Sequence, residues 1–139
     1  LTIDKRGELV HAPPEFMLVL SYNPGYQSVL KELKQSTRQR FVAIDFDYPE
    51  PAIEASIIVA ESGLAVETAN RLVKVGELTR NLKGNGLDEG ASTRLLVHAG
   101  HLIQSGVEPR AACAAAIAQA LSDDPEMVAA VRDLVRTVF

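Results

Sequence analysis

Two strand-like runs constrain this chain most: Phe16-Met17-Leu18-Val19-Leu20, which has no polar alternation, and the stretch from Phe41 to Phe46, in which Asp45 is the one polar residue. An unbroken apolar run of this length reads as a central strand covered on both faces. Such a strand needs hydrogen-bonded neighbours on its edges. Between the runs, Tyr26 to Gln39 reads as helical, with Val29, Leu30 and Leu33 on one side. Strand, helix, strand is the repeating piece of a layered α/β sheet. The first run ends in Ser21-Tyr22-Asn23-Pro24-Gly25, and the second stops at Asp47-Tyr48-Pro49. A buried strand that delivers a polar Asn at its C-terminal end is how open α/β sheets present groups to a ligand.

The composition shifts near residue 50. Ahead of it, Leu1-Thr2-Ile3 and Glu8-Leu9-Val10 flank Asp4-Lys5-Arg6-Gly7 and read as a short hairpin, with Gly7 able to take a positive φ. Beyond it every segment reads as helix. Glu50 to Ser62 has Pro51 in its first turn and a stop at Gly63. Val66 to Lys83 runs to the Gly84-Asn85-Gly86 loop, and Ala91 to Ser105 carries a stripe of Leu95, Leu96, Ala99, Leu102 and Ile103 closed by Gly106. Pro109 to Leu121 is alanine-rich, which permits close helix approach; Asp124-Pro125-Glu126 opens a last helix to about Val138. The expected fold is an α+β fragment. Residues 1–49 supply hairpin, strand, helix and strand, and residues 50–139 form a bundle of four to five helices.

Apolar residues make up 47% of the 139, enough for a packed core and against global disorder. Only 5% are aromatic and Trp is absent, so the core is built from Leu, Ile, Val and Ala. A formal charge of -4 argues against a dedicated nucleic-acid binder. No window approaches the ~18 apolar residues of a membrane span. The single Cys113 permits no disulfide within the chain, which fits a reducing cytoplasm, and its alanine surroundings read as core. The first residue is Leu1 rather than Met, which leads to the expectation of a fragment or a processed product.

Four residues are candidates for chemistry. Asn23 stands where a strand should end; its amide can orient a water or meet a phosphate oxygen, although Asn-Pro-Gly alone reads as a turn. Arg38 and Arg40 lie in a segment, residues 31–40, whose four cations and one acid net three positive charges. Arginine binds phosphate bidentately and stays charged, but a charge run is commonly a solvated face. Arg94 follows Gly90-Ala91-Ser92-Thr93 and falls in a helical first turn. A cation there opposes the helix dipole at a cost of about a few tenths of a kcal/mol, unless an anion binds at the same end. His11, His98 and His101 do not make a metal set, and there is no Gly-x-x-x-x-Gly-Lys-Ser/Thr phosphate loop or magnesium-holding acidic pair.

Together these pieces resemble the MoxR-type AAA+ ATPases, within them the CbbQ/NirQ/NorQ group. The resemblance rests on Ala12 to Ser28, Leu33 to Phe41, Asp45 to Pro49, and Gly90-Ala-Ser-Thr-Arg94 heading a helix. It covers nearly the whole chain, specifically in the first 50 residues and more loosely after about residue 107. It implies that residues 1–49 are the end of the α/β nucleotide-binding subdomain and residues 50–139 the helical lid. It casts Asn23 as the first sensor, Arg40 as the arginine finger with Arg38 as the alternative, and Arg94 as the second sensor. Family members are ring-forming, ATP-driven chaperones. They activate partner enzymes such as rubisco or nitric oxide reductase, often with a von Willebrand A-domain protein.

The expectation is therefore ATP and Mg2+ in the complete protein, neighbouring subunits of a homo-oligomeric ring and a client enzyme as partners, no nucleic acid and no membrane. These residues alone are expected neither to bind ATP tightly nor to hydrolyse it; turnover by the isolated chain, lost on Asn23→Ala, would refute that. A non-catalytic helical interaction module is the competing reading, and a nucleic-acid binder ranks last on charge.

Overall fold

The structure, a computed structural model, describes residues 2–3, 7–9, 11–21 and 35–139. The chain forms two units, residues 1–44 and 45–139. In the first, β1 (Thr2–Ile3) pairs antiparallel with β2 (Glu8–Leu9), Thr2 opposite Leu9 and Ile3 opposite Glu8. Gly7 takes the positive φ of 64° that the turn requires. A single turn of helix, α1 (Gln35–Arg38), follows. The rest of the helix expected from Tyr26 lies outside the described residues.

The structure corrects the expected sheet remnant. Residues 16–20 and 42–46 carry no strand pairing, and their side chains are exposed. Met17 is 80% exposed, and Val42 and Phe46 are each 93% exposed. The physical reason lies in the strand itself. Its backbone groups are satisfied only by a ladder with adjacent strands. Apolar patterning gives these runs the composition of central strands without giving them neighbours.

The second unit is helical throughout. Its helices are α2 (Pro51–Ser62), α3 (Val66–Arg80), α4 (Thr93–Gln104), α5 (Pro109–Cys113), α6 (Gln119–Leu121) and α7 (Pro125–Val138). A π-helical turn, Ala114–Ala118, joins α5 to α6. Residues 109–121 therefore form one interrupted helix, and the bundle has five rods. Gly63 ends α2 at φ 74°, the left-handed C-terminal conformation. Asp124 caps α7, its Oδ1 accepting the Glu126 amide at 3.0 Å. The Glu108 carboxylate caps α5 in the same way, through the Ala111 amide at 3.0 Å. Two helices are shorter than expected. The chain leaves α3 at Arg80 rather than Lys83, because the Leu82 and Lys83 amides turn back to the carbonyls of Thr79 and Arg80. Helix α4 begins at Thr93 rather than Ala91, because both backbone groups of Ala91 are engaged elsewhere.

The core runs through the middle of the bundle, with Ile58, Leu72, Leu96, Ile117 and Val131 fully buried. Helix α2 packs on α3 and α4, and α7 closes over α3 and the π turn. Gly100 brings α4 close to α2: a Cβ there would stand 2.9 Å from the Ser62 hydroxyl. Cys113 is buried in this core, as its alanine surroundings implied. Among the described residues no helix is long and apolar enough to cross a membrane.

Candidate functional site

Glu54, Ile58 and Ser62 follow one another at intervals of four along α2, so all three face the core. Glu54 is fully buried, and a buried carboxylate must be paired. Arg80, the last residue of α3, answers it with both ends of its fork. Nη1 donates to Oε2 at 2.8 Å and Nη2 to Oε1 at 2.6 Å. The Thr93 hydroxyl donates a third bond to Oε1 at 2.7 Å. Arg80 then turns its remaining edge, Nε, to the carbonyl of Ala91 at 2.9 Å. The ring of Tyr48 covers the guanidinium, with Cζ 3.8 Å from the ring centroid. The Arg80 side chain keeps only 13% of its surface in water.

The same cluster fixes the chain that leads into α4. The Ala91 amide donates to the Thr79 hydroxyl at 3.1 Å, and that hydroxyl donates to the Gly76 carbonyl at 2.8 Å. Gly90 lies flat against α3: a Cβ there would sit 2.4 Å from Arg80 Cα. Glycine is needed here for close approach, not for an unusual φ. Residues 90–93 are thus clamped to the end of α3 through Ala91, and to α2 through Thr93.

This clamp ends where Arg94 begins. Arg94 is exposed in the first turn of α4, and among the described residues it makes no ion pair or side-chain hydrogen bond. Ser92 holds the N-cap position without making a side-chain cap bond. An N-terminus without a side-chain cap and an exposed cation thus share the first turn of α4, the combination that suits an anion. Two arginines sit within this small region with opposite fates. Arg80 is paired inside the fold; Arg94, among the described residues, is unengaged.

The other expected residues lie in the first unit. Asn23 falls outside the described residues. Arg38 ends α1, and Arg40 stands two residues on, in a turn closed by its amide on the Thr37 carbonyl at 3.0 Å. Both side chains are exposed. His98 and His101 are also exposed, on α4. Sequence reasoning did not single out Glu54, Arg80 or Tyr48. None of the three carries a local sign that sets it apart: Glu54 shares a face with Ile58 and Ser62, and its charge alone reads as a surface residue.

Comparison with known proteins places the sequence in a family. The sequence profile described as "CbbQ/NirQ/NorQ C-terminal" matches residues 54–138. The chain belongs to the CbbQ/NirQ/NorQ family. It is 53% identical over its whole length to "Protein CbbQ" of Hydrogenophilus thermoluteolus, covering 52% of that protein. It is 56% identical, over 97% of its length, to the "Denitrification regulatory protein NirQ" of Pseudomonas aeruginosa, again covering 52% of the relative. "Protein NorQ" of Paracoccus denitrificans is 50% identical over the full chain, with 52% of it covered. The chain spans about half the length of the curated relatives it matches. The resemblance drawn from the first 50 residues and Gly90 to Arg94 is thereby shown. The family profile begins at Glu54 and includes Arg80, Thr93 and Arg94.

Proposed function

We propose that this chain is the sensing and coupling part of an ATP-driven AAA+ activator of a partner metabolic enzyme, of the rubisco-activating or nitric-oxide-reductase-activating type. The observation that carries the reading is the exposed Arg94 on a clamped helix start, in a chain 50–56% identical to CbbQ, NirQ and NorQ proteins along its length. In this reading the complete protein binds ATP with Mg2+, mainly on a phosphate loop and acids that these 139 residues do not contain. The chain's own residues fit part of that task. Arg94 is an exposed cation in the first turn of α4, next to the clamped Thr93, and is suited to a phosphate oxygen.

ATP supplies the phosphoanhydride whose hydrolysis drives the cycle. The amide of Asn23 holds the attacking water in line. Arg94 reads the phosphates from the lid, so that the bundle follows nucleotide state. Arg40, with Arg38 as the alternative, reaches the nucleotide of the next subunit in a homo-oligomeric ring. Charge spreads over the phosphoryl oxygens in the transition state, and a planar cation placed there in trans accelerates transfer by about 10³–10⁵-fold. The ring acts on its client enzyme together with a von Willebrand A-domain partner.

Steady-state ATPase assays of the complete protein test the assignment. Arg40→Ala should nearly abolish turnover and spare ATP binding. Arg94→Ala should lower turnover and weaken nucleotide-dependent movement of the lid. Normal turnover in Arg40→Ala with loss in Arg38→Ala moves the finger to Arg38. Normal turnover in Asn23→Ala, Arg40→Ala and Arg94→Ala alike, with client binding lost on changes to the helical faces, replaces the motor reading with a helical interaction module.

A further inference from the structure

Arg80 has the chemistry to hold a phosphate as well as Arg94 does, yet the fold uses it internally. The contacts around it form a continuous series. The Tyr48 ring stacks on the guanidinium, and the guanidinium holds Glu54 and the Ala91 carbonyl. Glu54 holds the Thr93 hydroxyl, and Thr93 precedes Arg94 in the chain. Every link after the first is a short hydrogen bond in a region largely shut off from water. Tyr48 belongs to no helix and is 39% exposed, whereas Ala91, also outside any helix, is fully buried.

We propose that Tyr48 is a positioning residue for Arg94. The ring closes the face of the Arg80 guanidinium that would otherwise meet solvent. Water admitted there would compete for the bonds to Glu54 and Ala91 and screen the ion pair. With those bonds loosened, Thr93 and Ala91 no longer fix the first turn of α4, and the direction of the Arg94 guanidinium spreads. Catalytic geometry is sensitive to such spreading: a misplacement of about 1 Å can cost on the order of 10²-fold in rate. The π face of Tyr48 supplies this, and its hydroxyl is not required. The proposal rests on the reading that Arg94 contacts the phosphates.

The test uses the complete protein with Tyr48→Leu and Tyr48→Phe, each with Arg94 intact and in an Arg94→Ala background. The first readout is hydrogen exchange of the backbone in residues 90–97, which does not depend on ATP turnover. Tyr48→Leu should speed exchange there and leave α7 unchanged, and Tyr48→Phe should not. Unchanged exchange in Tyr48→Leu overturns the proposal whatever Arg94 does. The second readout is kcat for ATP. Tyr48→Leu should lower it about three- to tenfold when Arg94 is present, with Tyr48→Phe close to the parent, and add no further loss in the Arg94→Ala background. An equal loss in both backgrounds overturns the positioning role. If Arg94→Ala alone leaves kcat unchanged, the phosphate-sensing reading fails, while the exchange result still reports whether Tyr48 holds the clamp.

Discussion

Replacing Glu54 by Gln tests the clamp most directly. The amide has the shape of the carboxylate but no charge, and its NH2 group faces donors rather than acceptors. In the native fold the two carboxylate oxygens accept three bonds: 2.8 and 2.6 Å from Arg80, and 2.7 Å from Thr93. Glutamine can accept at one oxygen only. Arg80, with 13% of its side chain exposed, then keeps a nearly buried positive charge balanced only by the Ala91 carbonyl and the Tyr48 ring. Removing one partner of a buried pair costs about 3–5 kcal/mol, chiefly the desolvation of the charge left behind. In a domain of this size 1 kcal/mol moves the melting temperature by about 4–8 °C, so Glu54→Gln should lower Tm by roughly 12–40 °C. Far-UV circular dichroism on heating and in urea reads this, since nearly all the helix among the described residues lies in residues 45–139.

The companion variant separates pairing from packing. Glu54→Met combined with Arg80→Met removes both charges and keeps most of the volume. It should cost less than either single change, with a coupling of at least about 2 kcal/mol. Exposed ion pairs contribute only about 0–1 kcal/mol. A Tm shift under about 4 °C for Glu54→Gln, or additive effects in the double variant, would place this pair in that class and refute the reasoning.

Other outcomes follow from single contacts. Gly90→Ala should destabilise the bundle by about 1–3 kcal/mol in urea titrations, because its Cβ would meet the Arg80 backbone at 2.4 Å and neither side can swing away; a neutral effect would mean that the loop does not lie flat on α3. Leu96→Ala should cost about 2–5 kcal/mol, as this side chain is fully buried at the centre of the core. Burial, and secondarily the Glu108 charge, push the Cys113 thiol from 9.0 up to about 12. The native state therefore holds this proton more tightly than the unfolded state. Its contribution is complete below about pH 9 and is lost as the pH rises towards about 12. Thiol reagents at pH 8 should accordingly label Cys113 only in denaturant, and rapid labelling of the folded chain would contradict the burial. The exposed runs of residues 16–20 and 42–46 should make the isolated chain self-associate at concentrations of order 0.1 mM, read by light scattering; a chain that stays monomeric there would show that these surfaces need no cover.

The helical part was legible because its signals are local. Pro51 and Gly63 bracket α2, Asp124 caps α7, and the stripe on α4 names its buried face, each within one or two turns of chain. The strands expected at residues 16–20 and 41–46 are not shown, for the converse reason. A run such as residues 16–20 records in its composition that it suits a sheet interior, but pairing depends on partners that composition does not encode. The candidate site was legible only in part. Arg94 could be found because a cation in a helix's first turn conflicts with the dipole, and a conflict visible in one turn asks for a reason. Asn23 and the Arg38–Arg40 segment stood out by position and charge, as an amide at a strand end and a basic run, and took their roles from the family resemblance.

The clamp was illegible because its members are far apart in sequence and individually ordinary. Glu54 and Arg80 are separated by 26 positions and Glu54 and Thr93 by 39, and each alone reads as a surface residue of an amphipathic helix. What makes them structural is a condition on the whole: Glu54 lies on the Ile58–Ser62 face, and burying that face takes its charge out of water. A fold that buries an acid must bring a base to it, and the base that α3 delivers is the one at its end. Once Arg80 is committed in this way, the loop it holds is committed too, through Ala91 and the close approach of Gly90. The exposure of Arg94 is thus the other side of the burial of Glu54. The arginine one position past the clamp stands on a fixed base, while Glu54 is already paired with Arg80 and Thr93. The proposed phosphate reading by Arg94 asks for a cation that is unengaged, as Arg94 is among the described residues, and held on a rigid base, which the clamp supplies.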